Sequence, residues 1–280
     1  MVQAEQLIDK NLHYSRDIKT IKVQNNIKTS ILPSKKYSII IPALNEEHTI
    51  KSLIKTIEKE TKKLFSTKDF EILVIDDGSK DLTFNNASEI NLAHVHRNEK
   101  NMGKGYSMRK GIMHAKGKYI AFIDADGSHN VKDLIRGMKL IESLEANKLN
   151  ERPFLITGVR FKNGKHGTTI LNKAGNKLYS LIGLVLWRQN INDLTCGLRF
   201  AKKVDLLNLN LTSSRYTVEV EMIAQCLRKK YTIIQMPINA TKRIYGTSGV
   251  RAMKEGIILP ISFVLSSIKL FSLITKKISI

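Results

Sequence analysis

Two pairs of aspartates stand where an α/β sheet would place its chemistry. Asp76/Asp77 and Asp124/Asp126 each directly follow an apolar run that is typical of a buried strand. In open α/β sheets, ligands bind beyond the carboxyl ends of the strands, so we expect the two pairs to meet in one crevice. Acidic residues are also common in plain turns, but two pairs in equivalent positions favour a functional site.

The Asp124-Ala125-Asp126 triplet predicts a site for Mg²⁺ or Mn²⁺. Its two carboxylates offer hard oxygen ligands, which these ions combine with oxygens from substrate phosphates. Zinc hydrolysis has no support, because the sequence contains no His-x-x-x-His pattern. The two cysteines, Cys196 and Cys226, are also too few for a Cys-based zinc site or a disulfide framework.

Two further segments could contact phosphates. Residues 101–105, Asn-Met-Gly-Lys-Gly, lack the spacing of the Walker loop, yet their glycines could bring backbone N–H groups near an anion. A plain turn into a helix explains this segment equally well. Lys242, Arg243 and Arg251 surround a stretch with Gly and Ser, which could close over phosphates or form a solvated basic loop.

Other acid–base residues are less suggestive. Gly-x-Ser-x-Gly is absent, and no histidine adjoins a plausible serine nucleophile. We therefore expect His48, His114 and His129 at the surface or in loops rather than in catalysis. Asp193 is the one obvious candidate for a carboxylate base beyond the metal pair.

The elements that must position these residues alternate between strands and helices. Apolar runs predict strands at residues 37–41, 71–75, 93–96, 119–123, 154–159 and 231–237, the first of which stops at Pro42. Helical periodicity predicts helices at residues 46–63, within 103–115, and at 170–187 and 216–229. This alternation favours a single α/β domain with a mostly parallel sheet and helices on both faces.

The composition fits a folded, strongly basic protein. The 280 residues include 46 Lys and Arg against 25 Asp and Glu, giving a net charge of +21, and 42% are hydrophobic. A core of this size excludes wholesale disorder. The charge indicates a polyanionic partner or an anionic membrane surface, although codon bias towards Lys, Asn and Ile is an alternative explanation.

The basic residues near the C terminus flank a mostly apolar segment at 256–274. Pro260 and Lys269 interrupt this segment, whereas a membrane span needs about 20 mainly apolar residues. We therefore expect an amphipathic helix that lies in the interface of an anionic membrane, with a marginal span or a core helix as alternatives. The N terminus lacks the pattern of a signal peptide, so secretion is not expected.

The ordered motifs resemble those of family 2 glycosyltransferases with the GT-A fold. They are Ile-Ile-Ile-Pro-Ala-Leu-Asn-Glu-Glu (39–47), Val-Ile-Asp-Asp-Gly-Ser-Lys-Asp (74–81), Asn-Met-Gly-Lys-Gly (101–105), Ile-Asp-Ala-Asp-Gly (123–127), Asp-Leu-Thr-Cys-Gly-Leu-Arg (193–199) and Arg-x-x-Gly-x-Ser (243–248). The last two resemble the dolichol-phosphate mannose and glucose synthases, and Asp-Ala-Asp-Gly looks closer to the glucosyl branch. The resemblance implies a GT-A (Rossmann-like) domain at 37–255. The residues before and after it predict an N-terminal extension at 1–36 and the membrane-interface helix at 256–280.

The resemblance also implies a role for individual residues. Those matched to nucleotide-sugar binding are Pro42, Asn45, Glu46, Asp76, Asp77, Lys104 and Asp124. Those matched to catalysis are Asp124, Asp126 and Arg243, and those matched to the metal are Asp124, Asp126 and Ser128. Those matched to the acceptor phosphate are Arg160, Lys173 and Ser248. Ser128 stands where some relatives have Gln, Lys173 where many have Arg, and Gly249 where many have Lys.

The implied reaction is an inverting, Mg²⁺- or Mn²⁺-dependent transfer of a hexose. The donor would be UDP-glucose or GDP-mannose, and the acceptor polyprenyl (dolichyl) phosphate at the cytoplasmic face of a membrane, with the protein peripheral or monotopic. A phosphate acceptor is already an anion and needs no general base. One alternative is a soluble transferase that acts on a saccharide hydroxyl, with Asp193 as its base.

An alternative from another class is a basic nucleic-acid-binding protein. Such a protein would place aromatic side chains among Lys and Arg on one face. Aromatic residues make up only 6% of this sequence, and they do not form such a stripe. The sequence therefore favours a nucleotide sugar and a lipid phosphate as partners, with no nucleic acid.

Overall fold

The computed structural model describes residues 33–160 and 189–241 and the single positions 184, 243 and 245. The strands are β1 (Lys35–Ala43), β2 (Phe70–Asp76), β3 (Ala93–Arg97), β4 (Gly117–Phe122), β5 (Phe154–Arg160), β6 (Arg199–Lys202) and β7 (Thr232–Ile238). The helices are α1 (Ile50–Lys62), α2 (Thr83–Ser88), α3 (Lys104–His114), α4 (Val131–Ala146), α5 (Lys203–Asn208) and α6 (Thr217–Arg228). The helix predicted at 170–187, except for position 184, and the helix predicted at 256–274 lie outside the described residues.

The strands form one sheet in the order β3-β2-β1-β4-β6-β5-β7. β6 runs antiparallel to β4 and β5, and every other pairing in the sheet is parallel. The predicted mostly parallel sheet is therefore confirmed. The sequence did not indicate β6, because its four residues are too few to show a strand period.

Helices cover both faces of the sheet, as predicted. Ile39 and Ile41 of β1 point to a core that includes residues of α1 and α4. Ile40 points to a second core on the opposite face, which includes residues of α3 and α6. Alternate residues of one strand thus anchor two helical layers. Helix α4 was not predicted, although its buried residues recur with helical spacing.

β1 continues through Pro42 to Ala43, so the prediction that this strand stops at Pro42 is wrong. Ile40 accepts a hydrogen bond from the backbone N–H of Ile123, which lies on the β4 side. The backbone N–H and C=O groups of successive residues in β1 point alternately to β4 and to β2. The backbone of Pro42, two residues after Ile40, therefore also faces β4. The β1–β4 pairing has already ended at Ile40 and Phe122, so the missing N–H of proline breaks no ladder hydrogen bond.

Over the described ranges, no helix combines the length and the apolar character required to cross a membrane.

Candidate active site

Several of the predicted residues lie at the carboxyl edge of the parallel strands. Asp76 ends β2, Asp124 lies two residues beyond β4, and Arg160 ends β5. The loop after β1 carries Asn45 and Glu46 at the same edge. The convergence expected from the sequence is therefore present in the fold.

The loops after β1 and β2 are joined by hydrogen bonds. The backbone N–H of Asn45 donates to Ser79 Oγ at 2.9 Å, and Asn45 Oδ1 accepts from the backbone N–H of Lys80 at 2.9 Å. Asn45 has a φ of 54°, in the left-handed region that asparagine tolerates better than most residues. The N–H of Glu46 donates to Thr83 Oγ1 at 2.7 Å. These contacts fix the first loop beside the end of β2.

Asp76 and Asp77 are buried and hold the surrounding loops. Asp77 accepts hydrogen bonds from Asn98 Nδ2 and from the backbone N–H groups of Met102 and Gly103, at 2.8 to 2.9 Å. Asp77 thereby fixes the segment that leads into α3. Asp76 accepts from the backbone N–H of Ser79 at 3.2 Å and lies 3.1 Å from Arg97 Nε. A direct contact of either carboxylate with the nucleotide remains a prediction.

Lys104, at the start of α3, joins the partly buried carboxylate of Asp124 and the buried carboxylate of Glu219. Its Nζ lies 2.5 Å from Asp124 Oδ1 and 2.5 Å from Glu219 Oε1, at the start of α6. Burial disfavours both charged forms, but the attraction between them outweighs it. The pKa of Lys104 rises above its usual value, and the pKa of Asp124 falls to about 2. Asp124 is therefore a carboxylate at neutral pH.

His129 contacts the other oxygen of Asp124. His129 Nδ1 lies 3.7 Å from Asp124 Oδ2, and its Nε2 lies 3.6 Å from Cys196 Sγ. His129 lies between β4 and α4, outside the helices and strands, as expected. The expectation of an exposed side chain is wrong, because the side chain is only 5% exposed and lies beside Asp124. Burial raises the pKa of the Cys196 thiol to about 12, so this group stays protonated and is a poor nucleophile.

The backbone at Gly197 packs directly against the carboxylate of Asp124. A Cβ atom at this position would overlap both carboxylate oxygens. The neighbouring Arg199 is fully buried and donates to the carbonyls of Leu194, Cys196 and Glu219 at 2.5 to 2.8 Å. Arg199 thus ties the loop that carries Gly197 to the first turn of α6.

Arg243 connects the second aspartate of the triplet to the loop after β1. Its Nη2 lies 2.5 Å from Glu46 Oε1, and its Nη1 lies 3.6 Å from Asp126 Oδ2. Burial raises the pKa of Glu46 to about 6, against the opposing effect of Arg243. The backbone N–H of Ser128 donates to Asp126 Oδ1 at 2.9 Å. Arg243 therefore lies beside a candidate metal ligand, and its contact with the diphosphate remains a prediction.

Arg160 forms a bidentate ion pair with Asp193. Its Nε and Nη2 atoms lie 2.6 and 2.8 Å from the two carboxylate oxygens, and Nη2 also donates to Thr195 Oγ1 at 2.7 Å. The charge of Arg160, acting against burial, lowers the pKa of Asp193. Asp193 is thus a weaker base than an ordinary aspartate, which counts against its use in deprotonating a hydroxyl.

The model of the family described as "Glycosyl transferase family 2" matches residues 38–206, which is more than half of the chain. The chain belongs to this family. The described features agree with membership, because the matched range contains the aspartate pairs, Lys104 and the Arg160–Asp193 pair.

Curated relatives extend the similarity beyond the family match. A dolichyl-phosphate beta-glucosyltransferase of Trichomonas vaginalis is 29% identical over 222 residues, which is 72% of this chain but only 64% of that protein. A Saccharomyces cerevisiae protein of the same name is 23% identical over 81% of this chain and 75% of its own length. An uncharacterized protein of Methanocaldococcus jannaschii is 31% identical over 70% of this chain and 84% of its own length.

Solved structures of other glycosyltransferases share the fold. Glucosyl-3-phosphoglycerate synthase of Mycobacterium tuberculosis, in complex with Mn²⁺ and UDP-glucose, aligns with a TM-score of 0.60 and 20% identity, over 83% of this chain and 79% of that chain. Mannosyl-3-phosphoglycerate synthase of Rubrobacter xylanophilus aligns with a TM-score of 0.62 and 18% identity, over 82% and 74%. The GT-A fold expected for this family 2 glycosyltransferase is confirmed.

The chemistry of Asp124 and Asp126 fits a divalent cation. Asp124 is held as a carboxylate, and both side chains supply the hard oxygens that Mg²⁺ and Mn²⁺ prefer. Within residues 33–160 and 189–241, no group of three His, Cys, Asp or Glu side chains is arranged to hold a metal ion. A cation bound by this family 2 enzyme would therefore take further oxygens from Ser128, water or the diphosphate.

Two predicted acceptor-phosphate residues, Lys173 and Ser248, lie outside the described residues, and their roles remain predictions. Glu219 is a site residue that the sequence analysis missed. The signal was present: Glu219 and Glu221 are two acids in the otherwise largely apolar helix α6, and both are buried. Buried carboxylates need a charged or hydrogen-bonding partner, so such a pair indicates contacts across the fold.

Proposed function

We propose that this family 2 glycosyltransferase transfers glucose from UDP-glucose to dolichyl phosphate or a related polyprenyl phosphate, with inversion at the anomeric carbon. The observation that carries the proposal is the charge arrangement at the sheet edge, where Asp124 and Asp126 lie among the cations of Lys104, Arg160 and Arg243. The names of two curated relatives favour glucose and dolichyl phosphate over GDP-mannose or a saccharide acceptor.

The reaction would be a single displacement. An oxygen of the acceptor phosphate forms a bond to C1 of glucose, while the bond from C1 to the UDP oxygen breaks and UDP leaves with the electron pair. The nucleophile is already an anion, so no proton must be removed from it. Attack opposite to the leaving group converts an α-linked donor into a β-linked product, which agrees with the names of the relatives.

The chain's own cations would stabilise the negative charge that develops on UDP. Arg243 lies beside Asp126 and is shared with Glu46, so its guanidinium is fixed at the edge where the diphosphate would bind. A Mg²⁺ or Mn²⁺ ion held by Asp124 and Asp126 would supply further positive charge there. The guanidinium of Arg160, held by Asp193, is assigned to the acceptor phosphate.

The substrates can be tested with the full chain in native membranes. Radiolabelled UDP-glucose and GDP-mannose are each offered with dolichyl phosphate, with 3-phosphoglycerate and with a free saccharide. The proposal would be supported if dolichyl phosphate gave an organic-extractable labelled product with UDP-glucose and not with GDP-mannose. Water-soluble labelled product with the saccharide would support the hydroxyl-acceptor alternative. Salt-dependent binding to oligonucleotides, without binding to nucleotide sugars, would support the nucleic-acid alternative and overturn the proposal.

Arg160 gives a prediction about the acceptor side. Replacing Arg160 alone leaves Asp193 buried without its cation, which costs about 3–5 kcal/mol. The double change Arg160→Gln with Asp193→Asn removes both charges and keeps a polar, hydrogen-bonding side chain at each position. We expect kcat/KM for dolichyl phosphate to fall at least about tenfold, because the phosphate loses a guanidinium. The Kd for UDP, measured by calorimetry, should change less than about threefold, and the single Asp193→Asn variant is the control.

The opposite pattern would reassign Arg160. A double variant that loses UDP affinity but keeps the wild-type KM for dolichyl phosphate would place this arginine at the donor nucleotide.

We also propose that the protein associates with the cytoplasmic face of a membrane through residues 256–280. Deleting residues 257–280 should release the protein into the supernatant of sedimented anionic vesicles and lower its activity on long-chain acceptors. High salt should weaken binding of the intact chain only partly, since each basic residue contributes about 1 kcal/mol while the apolar contribution persists. Binding that resists both salt and carbonate would contradict an interfacial helix, and loss of folding on truncation would assign the segment to the core.

A further inference from the structure

Glu219 is buried at the start of α6, and its carboxylate contacts the ammonium group of Lys104. Its side chain is 3% exposed, less than those of Lys104 and Asp124, at 15% and 23%. A charge this deeply buried is strongly disfavoured unless it pairs with an oppositely charged group. That partner, Lys104, is itself in contact with Asp124, a candidate ligand of the divalent cation.

Glu219 is held in register with Asp124 through the backbone as well. Arg199 donates to the carbonyl of Glu219 at 2.6 Å and to the carbonyl of Cys196 at 2.8 Å. The residue after Cys196 is Gly197, whose backbone abuts the carboxylate of Asp124. The buried guanidinium of Arg199 therefore connects the backbone of Glu219, which contacts Lys104, with the backbone next to Gly197, which packs against Asp124.

The charges explain why two carboxylates share one lysine. If Lys104 contacted Asp124 alone, its ammonium group would neutralise the negative charge that attracts a cation. With Glu219 on the other side, the three groups together keep one net negative charge. Arg243 repeats the pattern, because it lies between Asp126 and Glu46. Asp124 and Asp126 thus each face a cation that is shared with a second carboxylate.

We propose that Glu219 is a positioning residue that shares Lys104 with Asp124 and so preserves the affinity of Asp124 and Asp126 for a divalent cation bound with the nucleotide. The inference rests on the proposed function, since metal dependence is part of it. The proposed role depends on the negative charge of Glu219 and not on the shape of its side chain. Glu219→Gln keeps the shape and loses the charge, whereas Glu219→Asp keeps the charge and shortens the side chain.

Mn²⁺ affinity in the presence of saturating UDP tests the inference without measuring activity. Free Mn²⁺ is quantified by electron paramagnetic resonance during titration of the purified full chain. We expect Glu219→Gln to raise the Kd for Mn²⁺ at least about tenfold, because one charge is lost from a buried site with weak screening. Glu219→Asp should stay within about threefold of wild type.

Glu221→Gln is the matched control. Glu221 is two residues further along α6 and equally buried, but its carboxylate accepts hydrogen bonds from Thr212 and Ser213 rather than from Lys104. This variant should lose thermal stability and keep its Mn²⁺ affinity. A Glu219→Gln variant that binds Mn²⁺ like wild type would overturn the inference and leave the proposed function intact. If Glu219→Gln does not fold, weak binding by a folded Glu219→Asp variant would overturn it.

Wild-type protein that binds no Mn²⁺ with UDP would overturn the metal dependence of the proposed function, and this inference with it. The two failures are therefore distinguishable from the wild-type titration alone.

Discussion

Replacing Asp126 by Asn should lower glucosyl transfer at least about a thousandfold while the protein stays folded. Asn keeps the shape of Asp126 and can still accept the hydrogen bond from the backbone N–H of Ser128. It loses the negative charge that lies beside Arg243 and that, under the proposed function, would bind a divalent cation. We therefore expect the loss in kcat with Mg²⁺ or Mn²⁺ present, and a melting temperature close to that of wild type.

Asp69→Asn is the matched control for this substitution. Asp69 is exposed and precedes β2, at the opposite edge of the sheet from the candidate site. It should keep wild-type kcat. Asp126→Asn protein with full activity in excess EDTA would contradict the metal role of the triplet, and an unfolded variant would assign Asp126 to the structure instead.

Replacing Gly197 by Ala should lower kcat at least about a hundredfold. The added Cβ would overlap both carboxylate oxygens of Asp124, so the carboxylate must move. Lys104 contacts Asp124 at 2.5 Å, and this contact would be disturbed together with the binding of the cation. The measurement is kcat with saturating UDP-glucose and dolichyl phosphate, alongside the melting temperature.

Gly158→Ala separates this steric effect from general crowding. Its Cβ would meet the side chains of Cys196 and Ile238 instead of a site carboxylate. We expect Gly158→Ala to lower the melting temperature and to leave most of kcat. If Gly197→Ala retained wild-type kcat, the close contact between Gly197 and Asp124 would have no role in positioning the carboxylate.

The strands and helices of the site followed from local sequence patterns. Apolar runs ending in Asp76 and Asp124 indicated strands whose carboxyl ends lie at one edge of the sheet, and the structure places both aspartates at that edge. The ordered motifs indicated the family, and the match over residues 38–206 confirms it. These predictions succeeded because periodicity and short motifs are properties of neighbouring residues.

Local patterns were insufficient where the outcome depended on a neighbouring strand or helix. Proline lacks a backbone N–H and was therefore predicted to end β1 at Pro42. The strand continues because the pairing of β1 with β4 has already ended before this residue. His129 resembled an ordinary loop histidine, but Cys196 and Asp124 enclose its ring. Asp193 was a candidate base, but Arg160, at the end of β5, pairs with it.

The sequence by itself therefore determined the fold class and the family, and it predicted the two aspartates of the candidate site. Only the tertiary structure decided how the charges around them are paired. Lys104 meets Glu219, Gly197 meets Asp124, and Arg243 meets Glu46, across separations in the chain that no periodicity spans. Burial makes these pairings energetically decisive, because an unpaired charge is costly in the interior, and the sheet sets which charges become neighbours.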